Sequence, residues 1–322
     1  MATADEPEVA LEGLERRLSS RVDPETERAR EEEAIPAAAI PAAAIAAAGG
    51  IWVPWPLKAM IPMYIYPTYL GSFWNVIEAN PSNVEYVIAN VQTGPGTSAN
   101  SDYTTHIDNC RAVGIKVLGY VDTNYAGIAQ STVEAEMATW NGLYAVDGFF
   151  FDRVPNVIGS EAYYTALCAY AKSLHPGFIT VNNFGTTFAA SYMPTAGIHV
   201  ITENTEANLL ANVPSLVGYE FVFSYAPSRF AQVIYDATAG NLHADMAAVA
   251  KRHSAYVFVT PDGAYGTQPP YWTEEQTWLG GFGASEDSPV LPGIPQGVER
   301  ASGNERRSAR SAARRWTARG KR

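Results

Sequence analysis

Short apolar runs that end in polar or turn-forming residues recur along the middle of the chain. Each run has the length and the β-branched or aromatic composition of a buried strand. Stretches with helical periodicity lie between the runs, among them Ser160–Leu174 and Leu242–His253. The eight predicted strands are Ala59–Tyr64, Val84–Val91, Lys116–Asp122, Gly148–Asp152, Phe178–Asn182, Ile198–Glu203, Glu220–Ser224 and Ala255–Thr260.

This alternation predicts an α/β fold, a (β/α)8 TIM barrel, because a parallel sheet has to be covered by its crossover helices. An open doubly wound sheet is the alternative, but it normally carries a glycine-rich phosphate turn after its first strand. The segment after the first predicted strand, Tyr64-Ile65-Tyr66-Pro67, has no glycine. We therefore expect an acidic, then Ala/Pro-rich tail at 1–57, a barrel at 58–285 and a basic tail at 286–322, both tails being disordered.

Two of the predicted strands end in a carboxylate. Asp152 closes the run Gly148–Asp152, and Glu203 closes the run Ile198–Glu203. Catalytic groups of such barrels lie at the carboxyl ends of the strands, and a pair of carboxylates is the usual equipment of a glycoside hydrolase. For a single acid, a helix N-cap or an ion pair at the rim is the alternative interpretation. The two acids together favour a catalytic pair.

Other strand ends supply aromatic, amide and acidic side chains to the same end of the barrel. A cleft that binds sugars uses this mixture, with rings packed against pyranose faces and planar polar groups bonded to hydroxyls. For any one tyrosine, packing in the core remains an alternative. The predicted substrate contacts are Tyr64, Tyr120, Asp122, Asn182 and Tyr225.

Charge is distributed unevenly along the chain, whose net charge is -11. Residues 1–33 carry -6 and residues 300–322 carry +8, which leaves -13 in the middle. An acidic domain disfavours nucleic acid as a partner and attracts cationic ligands at long range, although solubility alone explains the charge equally well. The basic tail could bind polyanions, but a solvated extension is the preferred interpretation.

The sequence gives no indication of a metal, a cofactor or a membrane span. Cys110 and Cys168 lie in helical patterns, where buried structural thiols are expected, and the five histidines form no closely spaced ligand pair. No run reaches the roughly 18 uninterrupted apolar residues of a transmembrane helix. Nothing in the pattern indicates an oligomeric state.

Four segments in this order carry a resemblance: Ile61-Pro62-Met63-Tyr64-Ile65-Tyr66-Pro67, Gly94-Pro95-Gly96, Val117-Leu118-Gly119-Tyr120-Val121 and Asp147-Gly148-Phe149-Phe150-Phe151-Asp152. Together they resemble the spherulation-specific family 4, or spherulin-4-like, proteins. The similarity runs from about Ala59 to about Thr260 and leaves both tails out.

The resemblance implies a (β/α)8 glycoside hydrolase of the endo-α-1,4-N-acetylgalactosaminidase type, acting on galactosaminogalactan, an exopolysaccharide of fungal walls and biofilms. The family's acid after strand four falls on Asp152, and its strand-six glutamate falls on Glu203. Our hypothesis gives Asp152 the role of nucleophile or charge stabiliser and Glu203 that of general acid/base. The resemblance implies an extracellular or cell-wall location, whereas the acidic start of the chain is not typical of a secretory signal.

Arg153 departs from the family pattern, which commonly continues Asp-Glu after strand four. A guanidinium cannot transfer protons, so one alternative is a non-catalytic carbohydrate-binding or wall-associated barrel that has lost hydrolysis. In the other, Arg153 pairs with a rim carboxylate or keeps Asp152 ionised, contacts the substrate, and leaves two acids for catalysis. An enzyme of phosphorylated metabolites is a poorer fit, since glycine-rich loops after strands seven and eight are lacking.

Overall fold

A computed structural model of the protein describes residues 55–69, 72–211 and 219–281, and in these residues eight parallel strands close into a barrel. Each strand pairs with the next along the chain, and the eighth pairs with the first. The predicted (β/α)8 fold is confirmed. The strands are β1 Lys58–Met63, β2 Val84–Ala89, β3 Lys116–Asp122, β4 Gly148–Asp152, β5 Ile179–Asn183, β6 Ile198–Thr205, β7 Phe230–Tyr235 and β8 Tyr256–Val259.

Helices follow the strands and cover the outside of the barrel. The α-helices are α1 Phe73–Ala79, α2 Ser101–Ala112, α3 Gln130–Leu143, α4 Glu161–Leu174, α5 Glu206–Ala211, α6 Leu242–Lys251 and α7 Trp272–Gly281. Short 3-10 helices are formed by Ala190–Thr195, Glu220–Ser224, Pro227–Arg229 and Ala239–Asn241.

The sequence prediction of strand seven is wrong. Glu220–Ser224, predicted as a strand, forms a 3-10 helix, and the strand is Phe230–Tyr235. Both segments are short and apolar, so composition alone does not separate them. Burial does: Phe223 is 38% exposed, whereas every residue of β7 from Phe230 to Ile234 is buried.

A close contact between β3 and α3 sets the direction of the side chains on β3. Gly119 faces the indole of Trp140, and a Cβ atom at this position would lie 2.7 Å from the ring. The same indole donates through Nε1 to the carbonyl of Tyr120 at 2.9 Å. Because successive residues of a strand point to opposite faces, Tyr120 and Asp122 point away from the helix, into the barrel and its mouth.

An irregularity in β6 sets the direction of Glu203. Val200 pairs with Ala231 of β7, and Glu203 pairs with Val233, so three steps along β6 match two steps along β7. This is a β-bulge, which inserts one extra residue and reverses the alternation beyond it. Glu203 therefore points to the same side of the sheet as Val200, into the barrel mouth.

The predicted tails lie outside the described residues except for residues 55–57, of which Leu57 is buried in the core. Cys110 is buried in α2, as expected, whereas Cys168 in α4 is only half-buried; both thiols are free. Among the described residues, no group of three or more His, Cys, Asp or Glu side chains is arranged to hold a metal ion. None of the helices in the described ranges has the length and apolar character of a membrane span.

Candidate active site

The carboxyl groups of Asp152 and Glu203 lie together at the mouth of the barrel, bridged by one amide. Asn183 Nδ2 donates to Asp152 Oδ1 at 2.8 Å and to Glu203 Oε2 at 2.7 Å. The two oxygens therefore lie no further apart than the sum of these distances, about 5.5 Å, which is within the separation of the acid pair in retaining glycosidases.

A tight turn after β5 fixes the orientation of this amide. Asn183 Oδ1 accepts the backbone N–H of Gly185 at 3.0 Å, so the Nδ2 end of the side chain has to face the carboxylates. The Gly185 carbonyl in turn accepts the backbone N–H of Glu203 at 2.7 Å. Gly185 has a φ of +66°, in the left-handed region that favours glycine, and a Cβ there would lie 3.5 Å from the Glu203 Cβ.

Three tyrosines close the site from the other side. Tyr120 donates to Asp152 Oδ2 at 2.8 Å, and Tyr265 donates to Glu203 Oε1 at 2.6 Å. The ring of Tyr64 packs edge-on against both, with centroid distances of 5.8 Å to each. All four oxygens of the two acids thus accept a hydrogen bond, and an aromatic wall lies beside them.

The electrostatics of the pair favour one retained proton at mildly acidic pH. Burial of the carboxyl and the nearby charge of Glu203 raise the pKa of Asp152 to about 6, against the opposing effect of hydrogen bonds from Tyr120 and Asn183. Burial also holds the pKa of Tyr120 well above its usual value, so this phenol stays a donor. Asp152 is thus ionised above about pH 6 and protonated below it.

Arg153 forms an ion pair with Asp122 at the same mouth. Its Nε donates to Asp122 Oδ1 at 2.8 Å, and its Nη2 bonds to Asp122 Oδ2. Asp122 is the register partner of Asp152 across β3 and β4, so both carboxylates leave the same face of the sheet. β4 ends at Asp152, and Arg153 adopts a φ of +54°, which turns its side chain towards Asp122.

Left-handed backbone is concentrated in the loops that follow the strands. Of the eight non-glycine residues with positive φ in the described ranges, seven lie after a strand, and three of them, Asn124, Tyr125 and Ala126, are consecutive. Such conformations cost of order 1 kcal/mol or more each and persist only where the surroundings enforce them. Hydrogen bonds from Tyr125 N–H to the Arg153 carbonyl at 2.7 Å and from the Thr123 hydroxyl to the Asp152 carbonyl at 2.8 Å tie this loop to the end of β4.

Two of the residues predicted from the sequence to contact substrate lie elsewhere. Asn182 is fully buried on the outer face of β5, where its Nδ2 donates to Thr195 Oγ1 at 2.8 Å. Tyr225 precedes β7 instead of following it, and its carbonyl bonds to His253, which precedes β8. The position of Asn182 was mispredicted because successive side chains of a strand alternate between its two faces. The position of Tyr225 was mispredicted because strand seven was assigned to the wrong segment. Tyr64, Tyr120, Asp122 and Arg153 do lie at the mouth with the acid pair.

Three residues of the site were not among the predicted site residues, namely Asn183, Gly185 and Tyr265. Asn183 follows Asn182 directly, and the predicted strand ended one residue too early. Tyr265 lies six residues beyond β8, in a turn where Asp262 accepts the backbone N–H of Ala264 at 2.8 Å and of Gly266 at 3.0 Å. The Asp-Gly pair at 262–263 is a turn signal, but it does not indicate that the turn carries a tyrosine back to strand six.

Comparisons with known proteins agree with this architecture. Spherulin-4 of Physarum polycephalum is 31% identical over 183 residues, which cover 52% of this chain and 54% of that protein, so the chain spans about half the length of this relative. The crystal structure of Aspergillus clavatus Sph3 in complex with GalNAc has a TM-score of 0.61 at 24% identity and covers 70% of this chain and 98% of that one. The glycoside hydrolase domain of PelA from Pseudomonas aeruginosa is more distant, with a TM-score of 0.43 at 12% identity, covering 66% of this chain and 97% of that one.

At 24% identity the likeness to Sph3 shows the barrel fold, and the site has to be judged by its own geometry. The family match spans the whole barrel, since the sequence model of one family extends over all eight strands. The chain belongs to the spherulation-specific family 4, whose model matches residues 58–277.

Proposed function

We propose that the protein is a glycoside hydrolase that cleaves α-1,4-linked polymers of galactosamine and N-acetylgalactosamine, with Asp152 as nucleophile and Glu203 as general acid/base. The observation that carries the proposal is the single amide of Asn183 that binds both carboxylates and keeps their oxygens within about 5.5 Å. An acid pair that served only as helix caps or rim ion pairs would have no reason to share one donor at the barrel mouth.

The substrate class rests on the aromatic wall and on the relatives. Of the three tyrosines beside the two acids, Tyr120 and Tyr265 are buried and Tyr64 is half-buried, so the ring of Tyr64 is the one offered to a sugar. Sph3, which has the same fold, was crystallised with GalNAc. An extracellular or cell-wall location accompanies a polysaccharide substrate of this kind.

The mechanism follows from the separation of the two acids. Asp152, ionised above about pH 6, attacks the anomeric carbon and forms a glycosyl ester, while Glu203 gives its proton to the departing glycosidic oxygen. Glu203 then accepts a proton from water, whose oxygen attacks the anomeric carbon and releases Asp152. Two displacements at one carbon retain the α-configuration, so the first product is the α-anomer.

The ion pair between Arg153 and Asp122 bears on the alternative of a barrel that only binds carbohydrate. The guanidinium is committed to Asp122, while both oxygens of Asp152 are bonded to Tyr120 and Asn183. Arg153 therefore leaves the acid pair intact. This arrangement favours hydrolysis over binding alone.

The test is release of reducing ends from the purified polymer by the full-length protein. We expect release by the unaltered protein and a loss of about 100-fold or more in Glu203→Gln and in Asp152→Asn, because a positioned general acid or base contributes roughly 10²–10⁴-fold. Glu274→Gln is the matched control, since Glu274 is an exposed acid on α7. NMR detection of the first product anomer checks retention.

Two outcomes would contradict the proposal. If the unaltered protein binds the polymer but releases no reducing ends, the chain is a carbohydrate-binding member of its family. If release persists in both acid variants, hydrolysis does not depend on this pair.

A further inference from the structure

Arg153 is placed to select among sugars as well as to hold Asp122. The guanidinium bonds to Asp122 through Nε and Nη2, and no described residue accepts a hydrogen bond from its remaining nitrogen, Nη1. The side chain retains 34% of its exposure, and that of Asp122 retains 20%. A rigid set of charged donors is therefore open at the mouth.

The position of this guanidinium is fixed on three sides. Asp122 holds two of its nitrogens and also accepts the backbone N–H of Asn124 at 2.8 Å. The ring of Tyr125 lies 6.0 Å from the guanidinium carbon. The backbone of Arg153 is held by Tyr125 and by the hydroxyl of Thr123, which donates to the Arg153 carbonyl at 3.1 Å. A group held in this way loses little conformational entropy when it binds a ligand.

Its neighbours place it beside the reacting atoms. Arg153 follows Asp152 directly, and Asp122, which it binds, is the register partner of Asp152. A sugar bonded at the acid pair would therefore lie with one edge towards Arg153. The groups on that edge meet a fixed positive charge.

We propose that Arg153 determines specificity, by donating from its guanidinium to the acetamido carbonyl of an N-acetylated sugar at the acid pair and by disfavouring a sugar that carries a free ammonium there. An acetamido oxygen accepts a charge-assisted hydrogen bond, whereas an ammonium offers only donors and a like charge. This inference rests on the proposed function. The inference specifies which sugar units of a mixed polymer the site accepts.

The inference separates local from long-range electrostatics. The acidic barrel attracts a cationic chain from a distance, and salt screens this attraction over about 10 Å. Arg153 acts at contact, where screening by salt is weak. A partly deacetylated polymer would be drawn to the protein as a polycation and would be bound at the acid pair through its neutral, acetylated residues.

The experiment measures affinity in the full-length Glu203→Gln protein, which binds without cleaving, for defined α-1,4 oligosaccharides that are either fully N-acetylated or fully deacetylated. We expect the acetylated oligomer to bind more tightly and the ratio of the two affinities to fall about tenfold when Arg153→Gln is added, as for loss of one charge-assisted hydrogen bond. Arg153→Lys keeps the charge without the planar donors and should recover only part of the ratio.

Arg111→Gln is the matched control, because Arg111 forms an Arg–Asp ion pair with Asp147 at the opposite end of the barrel. It should leave the ratio unchanged. An unchanged ratio in Arg153→Gln, with a melting temperature showing that the variant is folded, overturns the inference, as does failure to bind either oligomer. Selective binding with no reducing ends released by the unaltered protein refutes the proposed hydrolysis but supports the role of Arg153.

Discussion

Two groups of acids lie in different surroundings, although Glu203 of one and Glu206 of the other are only three residues apart along the chain. One is the pair Asp152 and Glu203 at the barrel mouth, and the other is formed by Glu206, Asp245 and Glu275 under the helices α5, α6 and α7. In the mouth, four donors from Tyr120, Asn183 and Tyr265 serve four carboxylate oxygens. Asp245 and Glu275 are fully buried, and Glu206 is 7% exposed.

Asp245 of the outer group holds its proton more firmly than Asp152 does. Glu206 accepts the backbone N–H of Thr238 at 2.8 Å and the side chain of Asn241 at 2.7 Å, and Glu275 accepts the backbone N–H of Val259 at 3.0 Å. Burial and then Glu206 raise the pKa of Asp245 to about 8, and burial holds the pKa of Glu275 well above its usual value. Fewer hydrogen-bond donors reach the carboxyl oxygens of Asp245 and Glu275 than reach those of the pair at the mouth, so the neutral form of these two buried acids is favoured. The number of hydrogen-bond donors and the position at the barrel mouth therefore decide which acids are available for catalysis near neutral pH.

The largest expected effect comes from removing the shared donor. Asn183→Ala should lower kcat on the galactosamine polymer by about 100-fold, because both carboxylates lose the donor that positions them and Asp152 loses a hydrogen bond that favours its ionised form. It should also raise the apparent pKa of the acidic limb of the rate profile, a change that a merely structural defect would not produce. Asn182→Ala is the neighbouring control; its side chain faces away from the pair, so its acidic limb should stay in place.

The pH profile of the unaltered protein should reveal the proton on Asp152. Since the pKa of this carboxyl is raised to about 6 and a nucleophile has to be ionised, kcat/KM should fall about tenfold per pH unit below an apparent pKa near 6. Initial rates between pH 4 and pH 8 measure it. A rate that instead falls as pH rises through 6 would assign the transferred proton to Asp152 and reverse the two roles.

Gly185→Ala should lower activity by a smaller amount, because it disturbs the turn through which Asn183 bonds to both acids. The left-handed φ disfavours alanine by roughly 1–2 kcal/mol, and the added Cβ lies 3.5 Å from Glu203, so kcat should fall several-fold and the melting temperature should drop. Gly142→Ala is the control, because Gly142 lies within α3 with open space around it. It should leave activity unchanged and raise stability slightly.

The smallest effect should be a gain in stability from Asp245→Asn. The folded protein keeps a proton on Asp245 up to about pH 8, whereas the unfolded chain releases it near pH 4, so the free energy of unfolding falls as pH rises between these values. Asparagine removes this dependence. We expect a higher melting temperature at pH 8, by about 2–4 °C for each kcal/mol of this penalty that asparagine removes, a gain that shrinks towards pH 4.

Activity should be unaffected by Asp245→Asn, which separates the outer acids from the pair at the mouth. Asp108→Asn on the exposed face of α2 is the control for a change of charge alone. A melting temperature of Asp245→Asn that follows the same pH dependence as the unaltered protein would show that Asp245 is ionised in the fold.

The sequence predicted the barrel, seven of its strands and both acids, because buried strands and their terminal carboxylates are local features of the chain. It did not predict Asn183, since one residue of strand length decides which of two adjacent asparagines faces inwards. Tyr225 was placed in the cleft because Glu220–Ser224 and β7 have similar composition and differ only in burial. Tyr265 reaches Glu203 through a turn that Asp262 holds locally, but the direction of this turn depends on a tertiary contact with Tyr64.

The bulge in β6 makes the site depend on a count of residues. Without the bulge, the three steps from Val200 to Glu203 would follow regular alternation and turn the glutamate towards the helices, although every side chain of the pair would still be encoded. A glutamate that an alignment registers as present therefore lies in the mouth only where the strand carries the bulge or has one residue fewer before it.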